Sequence, residues 1–381
     1  MTPPEHFEDL LADDDDELIV IDFDELESEP ASGVDSRDGD YPGFQRWIKD
    51  RGLRLIDAQI HAERMSRWSV RPRFLMVCMV GAHELPLVAR TLANLERQLY
   101  KDWIVVFISD QPEPSPVFRQ SDCLGWICVE SLADSALVTG HLNELPSVLR
   151  CDWMTRLPPG FELEEQALLV LGDYINLHPE WAALYTDDYV SDGAGNFSRP
   201  RFKPDFDIDH FRAYDYIGEA LWFNATALGA TGGLVELGDA SFYEMLLRTW
   251  ERVSDQAIGH IAEPVLRLPV ESIRSDADSP MHDAAVTAHL ERTAMGATVG
   301  QGIVPGVRLI RWALAAEPSV TIIIPTRDKL EYLAPCVESL LEKTRYQNYE
   351  ILIVDNQSSD PDTLKWLEAI PDQSEHRVRV L

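Results

Sequence analysis

Apolar and polar positions alternate along this chain in two rhythms, one of strands and one of helices. Val320 to Ile324 is a β-branched run closed by Pro325, which predicts a buried strand. A polar turn follows, Thr326-Arg327-Asp328. Apolar residues then fall at Leu330, Leu333, Val337, Leu340 and Leu341, the spacing of one helix face. Ile351 to Val354 is a second β-branched run, ending at Asp355 in the turn DNQSSD. Strand, helix and strand in that order predict a parallel pair with a crossover helix. Ligands of such sheets sit at the carboxyl ends of the strands, where Thr326, Arg327 and Asp355 fall.

The same order occurs far upstream. Phe74 to Val80 reads as a strand, Leu85, Val88, Leu92, Leu95 and Leu99 as a helix, and Ile104 to Ile108 as a second strand ending at Ser109-Asp110. The chain thus contains an internal repeat of domain size. Between the copies, Glu164 to His178 and Ala240 to Arg248 read as helices. WAALYTDDYV reads as a strand entering a polar hairpin, with Asp187, Asp188 and Asp192 on its solvated rim. Pro-Arg-Phe-Lys-Pro at 200–204 reads as a surface loop, although Arg201 and Lys203 offer charge for a diphosphate. His282 to Met295 reads as a helical linker and Pro305 to Leu314 as an extended approach to the second copy. Phe44, Trp47, Ile48, Leu55, Ile56 and Ile60 suggest helices before the first strand.

Composition changes this picture in one respect. Hydrophobic content of 45% and 381 residues suit a protein of two or more domains. The balance of 65 acidic against 33 basic residues, net −32, argues against holding nucleic acid or an anionic membrane by bulk charge. The acids concentrate before residue 41, and a segment so charged reads as a disordered tail, with the LIVIDFDEL island as a candidate docking motif. The five cysteines form no C-x-x-C pair, so a zinc site or disulfide framework is not expected. No apolar run is long enough to span a bilayer and no signal peptide is evident. The expectation is a cytoplasmic protein, with peripheral contact at the inner membrane face left open.

The stretch SVTIIIPTRDKLEYLAPCVESLLEKTRYQNYEILIVDNQSSDPDTL resembles the opening of a family 2 glycosyltransferase, the inverting, nucleotide-sugar-dependent type with a GT-A fold. The resemblance implies an α/β, Rossmann-like fold, a mostly parallel sheet flanked by helices. It also implies that Pro325, Thr326 and Arg327 line the nucleotide and that Asp355 accepts the imide N–H of the base. Ser358 and Asp360 complete the family's acidic turn, with Asn356 in place of its second Asp. The donor implied is dTDP- or UDP-linked, the acceptor a glycan or lipid-linked glycan, and other polysaccharide-assembly enzymes are possible partners. A divalent cation, Mg2+ or Mn2+, is expected to neutralise the leaving diphosphate, and a general base to deprotonate the acceptor hydroxyl.

The first copy departs from that pattern where the chemistry falls. Ser109 stands at the base-recognising Asp. Pro158-Pro159-Gly160-Phe161 replaces the metal-binding acidic turn, with Glu162 after it. Phe242 stands at the catalytic Asp, with Glu244 two residues on. Asp187 and Asp188 are the substitute candidates for metal and catalysis, and Glu244 for catalysis. The expected organisation is an acidic tail over 1–40, a helical lead-in over 41–72, a degenerate glycosyltransferase-like domain over 73–275, a linker over 276–317 and the nucleotide half of a second, truncated domain over 318–381. This arrangement resembles tandem enzymes of bacterial surface-polysaccharide (O-antigen or rhamnan-like) synthesis. The alternative is a non-catalytic pseudo-glycosyltransferase that scaffolds partners or binds glycan.

Overall fold

The computed structural model describes residues 42–51, 55–192, 196–270, 280–304, 306–313, 316–374 and 376–381. The acidic tail and its apolar island lie outside the described residues. Two helices lead in, α1 (Pro42–Asp50) and α2 (Leu55–Ser66). From α1, Phe44 meets Tyr189 edge-on and Trp47 meets Phe202.

The first unit begins with β1 (Phe74–Val80), α3 (Leu85–Glu96), β2 (Trp103–Ser109), α4 (Val117–Gln120), β3 (Leu124–Cys128), α5 (Ser135–Val148) and β4 (Trp153–Arg156). It continues through β5 (Glu162–Leu163), α6 (Ala167–Leu177), β6 (Ala183–Ser191), β7 (Phe197–Arg201), α7 (Ile208–Ala213), β8 (Leu221–Asn224), α8 (Ala225–Ala230), α9 (Ser241–Trp250) and β9 (Ile258–Pro269). Among the described residues these strands form one nine-stranded sheet in the order β3-β2-β1-β4-β8-β6-β9-β5, with β7 paired to β6. The half β3-β2-β1-β4 is parallel, as expected, while β8 runs antiparallel to both its neighbours.

Alternation along the strands builds two cores. Phe74, Met76, Cys78, Val105 and Phe107 point to one face, with Leu168 and Leu171 of α6 over them. Leu75, Val77, Ile104, Val106 and Ile108 point to the other, beneath Leu142 of α5 and Leu246 of α9. Burial of both faces explains why these runs are continuously apolar, as parallel strands covered by helices require.

The stretch expected as a linker is instead part of this unit. Helix α10 (Pro280–Arg292) buries Ala285, Val286 and Leu290 in the second core. The expected extended approach is half of a hairpin, β10 (Ala297–Gln301) with β11 (Arg308–Trp312), whose Val299 and Ile310 pack on the same core. The sequence reading failed here because an isolated helix and two short strands carry no long-range signal of what they pack against.

The second unit is β12 (Val320–Thr326), α11 (Leu330–Lys343), β13 (Tyr349–Asp355), α12 (Pro361–Gln373) and β14 (Val378–Val380), a three-stranded parallel sheet in the order β12-β13-β14. Register partners lie 29 residues apart in both units, Phe74 with Trp103 and Val320 with Tyr349. One face of this sheet packs Ile351, Ile353 and Val378 against Leu333, Val337, Leu367 and Ile370. The opposite face is open, with Ile323 63% and Val354 36% exposed.

Candidate functional site

The residues singled out in the second unit meet at the carboxyl ends of β12 and β13. Thr326 is the register partner of Asp355, so the two turns that follow lie side by side. Asp355 Oδ1 accepts from the Ser358 Oγ hydroxyl at 2.5 Å and from the Ser358 amide at 3.1 Å. Ser358 Oγ in turn accepts from the amide of Asp328 at 2.7 Å. Asp328 Oδ1 accepts from the amides of Ser359 and Asp360, at 2.7 and 2.8 Å. Those amide donors hold the Asp328 carboxyl below the usual carboxylate range. Asp360 caps α12, accepting from the hydroxyl and amide of Thr363 at 2.7 and 2.8 Å. Pro325, Arg327 and Asn356 are exposed around this rim, and Thr326, Asp355, Ser358 and Asp360 are half-buried.

The sequence marks Asp328 only as a turn residue. The structure makes it the tie between the two turns. It and Lys329 both adopt left-handed backbone, φ 54° and 62°. Asp tolerates that region better than most side chains because it bonds locally, and an Asp between strand and helix was the signal available.

The corresponding place in the first unit is closed. Ser109 pairs in register with Val80, as Asp355 does with Thr326. It is fully buried, its hydroxyl donating to the Val80 carbonyl at 2.7 Å and accepting from the Gln111 amide at 3.0 Å. At the tip of β4, Arg156 is held by Glu219 at 2.9 Å and by Asp239 at 3.1 Å. In the following turn Phe161 enters the core, and Glu162 is paired with Arg90 at 2.6 Å and Arg267 at 3.3 Å. Phe242 is buried. Glu244 is buried beneath two guanidiniums, Arg248 at 2.8 Å and Arg292 at 3.2 Å.

Asp187 and Asp188 do not stand on a solvated rim. Both are buried in β6. Asp188 is gripped by Arg201 at 2.5 and 2.8 Å and by the Lys203 ammonium at 2.8 Å. Asp187 accepts from the Lys203 amide at 2.9 Å and from His260 Nε2 at 3.0 Å. Lys203 is therefore no surface-loop residue. Its ammonium also donates to the carbonyls of Thr186 and Ile217, and burial pulls its pKa down against the pull of Asp188. Among the described residues no group of three or more His, Cys, Asp or Glu could hold a metal ion. The candidate carboxylates are saturated by cations and amides, so these residues do not fit a divalent cation.

The chain is 31% identical over 345 residues to the O-antigen biosynthesis protein RfbC of Myxococcus xanthus, covering 86% of this chain and 26% of that one. It is 30% identical over 340 residues to the uncharacterized protein y4gI of Sinorhizobium fredii, covering 84% of this chain and 36% of that one. The chain thus spans between a quarter and two-fifths of the length of these relatives. Among solved structures, S. aureus TarS overlaps 58% of this chain and 71% of its own at 13% identity and TM-score 0.42. The mannosyltransferase PcManGT from Pyrobaculum calidifontis, solved with GDP-Man and Mn2+, overlaps 66% and 73% at 14% identity and TM-score 0.39. A likeness so slight carries no argument about this chain. Residues 321–381 match the family model described as Glycosyl transferase family 2.

Proposed function

We propose that this chain acts as a nucleotide-sugar-dependent, inverting glycosyltransferase in the assembly of a cell-surface polysaccharide, and that its second unit holds the nucleotide of a dTDP- or UDP-linked donor. The observation that carries the reading is the placement of Asp355 beside Thr326 at the ends of two parallel strands. A carboxylate fixed there by Ser358 suits the imide N–H of uracil or thymine, with Thr326, Arg327 and Asn356 around it. The likeness to an O-antigen biosynthesis protein supports a polysaccharide product, with a glycan or lipid-linked glycan as acceptor and other assembly enzymes as partners. No helix among the described residues is long and apolar enough to cross a membrane. Action at the cytoplasmic face, with peripheral membrane contact, belongs to the same proposal.

Two observations favour a second, narrower reading for the first unit, a scaffold or glycan-binding role without nucleotide. Ser109 is sealed where Asp355 is open, and Glu244 is locked between Arg248 and Arg292.

Calorimetry with UDP and dTDP tests the main reading. Saturable binding is expected, and Asp355→Ala should weaken it about tenfold or more, the worth of one hydrogen bond to a charged acceptor. Absence of binding, or binding indifferent to Asp355, overturns it.

A further inference from the structure

We propose that Asp328 positions Asp355 and thereby sets a preference for uracil or thymine over cytosine. This rests on the nucleotide reading above and assigns a residue that that reading leaves out. Uracil and thymine present an N–H at ring position 3, which a carboxylate accepts. Cytosine presents a bare nitrogen lone pair there, which a carboxylate repels. Discrimination of this kind requires the acceptor to be held in one orientation, since a free carboxylate swings away from a mismatched base at little cost.

Asp355 is held through a chain of bonds that begins at Asp328. The Asp328 amide fixes the direction of the Ser358 hydroxyl by donating to its oxygen. With that lone pair engaged, the Ser358 proton turns to Asp355 Oδ1. The Asp328 carboxylate meanwhile grips the next two amides of the same turn, Ser359 and Asp360. The turn after β13 is thus fastened to the turn after β12 through a single residue, by its backbone and its side chain. The left-handed backbone at Asp328 aims both groups across the gap. Nucleotide specificity is therefore set in part from the other strand, by a residue assigned no contact with the base.

Two substitutions separate the side-chain bonds from the backbone conformation. Asp328→Gly keeps a residue at ease with positive φ and removes the acceptor. Asp328→Asn keeps one acceptor oxygen and the tolerance of that backbone. Ser358→Ala breaks the next bond in the chain and carries the test if the glycine variant fails to fold.

Calorimetry of the full chain with UDP and CDP, beside thermal unfolding of each variant, reads the result. The wild type is expected to prefer UDP by about tenfold or more, as sites built to hydrogen-bond a substrate group do. Asp328→Asn should keep that ratio within about twofold, whereas Asp328→Gly and Ser358→Ala should erode it several-fold while remaining folded. A folded Asp328→Gly with an unchanged UDP-to-CDP ratio overturns the inference, even if both affinities fall together. Equal binding of UDP and CDP by the wild type also overturns it. Binding of neither overturns the nucleotide reading beneath it.

Discussion

At the scale of single residues, His289 shows how burial decides protonation. It is wholly buried. Its Nε2 accepts from Arg212 Nε at 3.1 Å, which leaves the Nδ1 proton for Glu251 at 2.7 Å. That arrangement needs the neutral ring. Burial holds its pKa below the ordinary histidine value, against the opposing pull of Glu251. In the unfolded chain the ring titrates at about 6.5. As pH falls through that value the unfolded state takes up a proton that the native state refuses, so stability present above it is lost below it. The denaturant midpoint should fall between pH 7.5 and 5.5, and His289→Gln should flatten that part of the profile. An unchanged slope in the variant would refute the neutral assignment.

The same scale shows what the sequence could and could not display. Pro325, Thr326, Arg327, Asp355, Asn356, Ser358 and Asp360 share one rim because two local turns on adjacent parallel strands carry them. Such a juxtaposition is written into strand-helix-strand order. Asp187 and Asp188 could not be read that way. His260, which bonds Asp187, lies 73 residues from it, Asp188 is held by Arg201 and Lys203, and adjacent acids in a hairpin look solvated until the third strand is placed. Lys203 looks like a surface-loop residue in the sequence for the same reason, since its ammonium bonds the carbonyls of Thr186 and Ile217.

Among whole elements, the strands and crossover helices of both copies were legible from periodicity, and α10 was legible as a helix but not as core. Its register with the first unit depends on contacts that no short window contains. Arg212 of α7 lies over Trp250 of α9 at 5.1 Å and over Trp312 of β11 at 5.5 Å, so a cation joins the hairpin to the helices. If α10 is core, Leu290→Ala should destabilise the first unit by about 2–5 kcal/mol, as buried leucine truncations do. A change under about 0.5 kcal/mol, the usual surface effect, would restore the linker reading. Urea denaturation followed by tryptophan fluorescence distinguishes the two.

Across the whole molecule, two units that share a 29-residue strand register differ at their strand ends. The first has closed its strand ends with a buried serine and paired acids, and has covered both faces of its sheet. The second has an open polar rim where Thr326 and Asp355 lie side by side. The excess of acids, net −32, opposes association of such surfaces by mutual repulsion.

Pro325 takes on a second meaning in that light. The Val320 amide donates to Asn348 and the Thr326 carbonyl accepts from Asn356, so even-numbered residues of β12 face β13. Alternation turns Thr321, Ile323 and Pro325 to the outer edge of the strand. A proline there has no N–H to offer a foreign strand. Pro325, exposed at the polar rim, thus leaves that side of β12 one ladder donor short. Pro325→Ala should raise light scattering on warming or in high salt, where charge repulsion is screened. Unchanged scattering would leave Pro325 with the rim alone. Lost activity in that variant would not by itself identify a nucleotide contact, because a clumped edge silences the site as surely as a missing one.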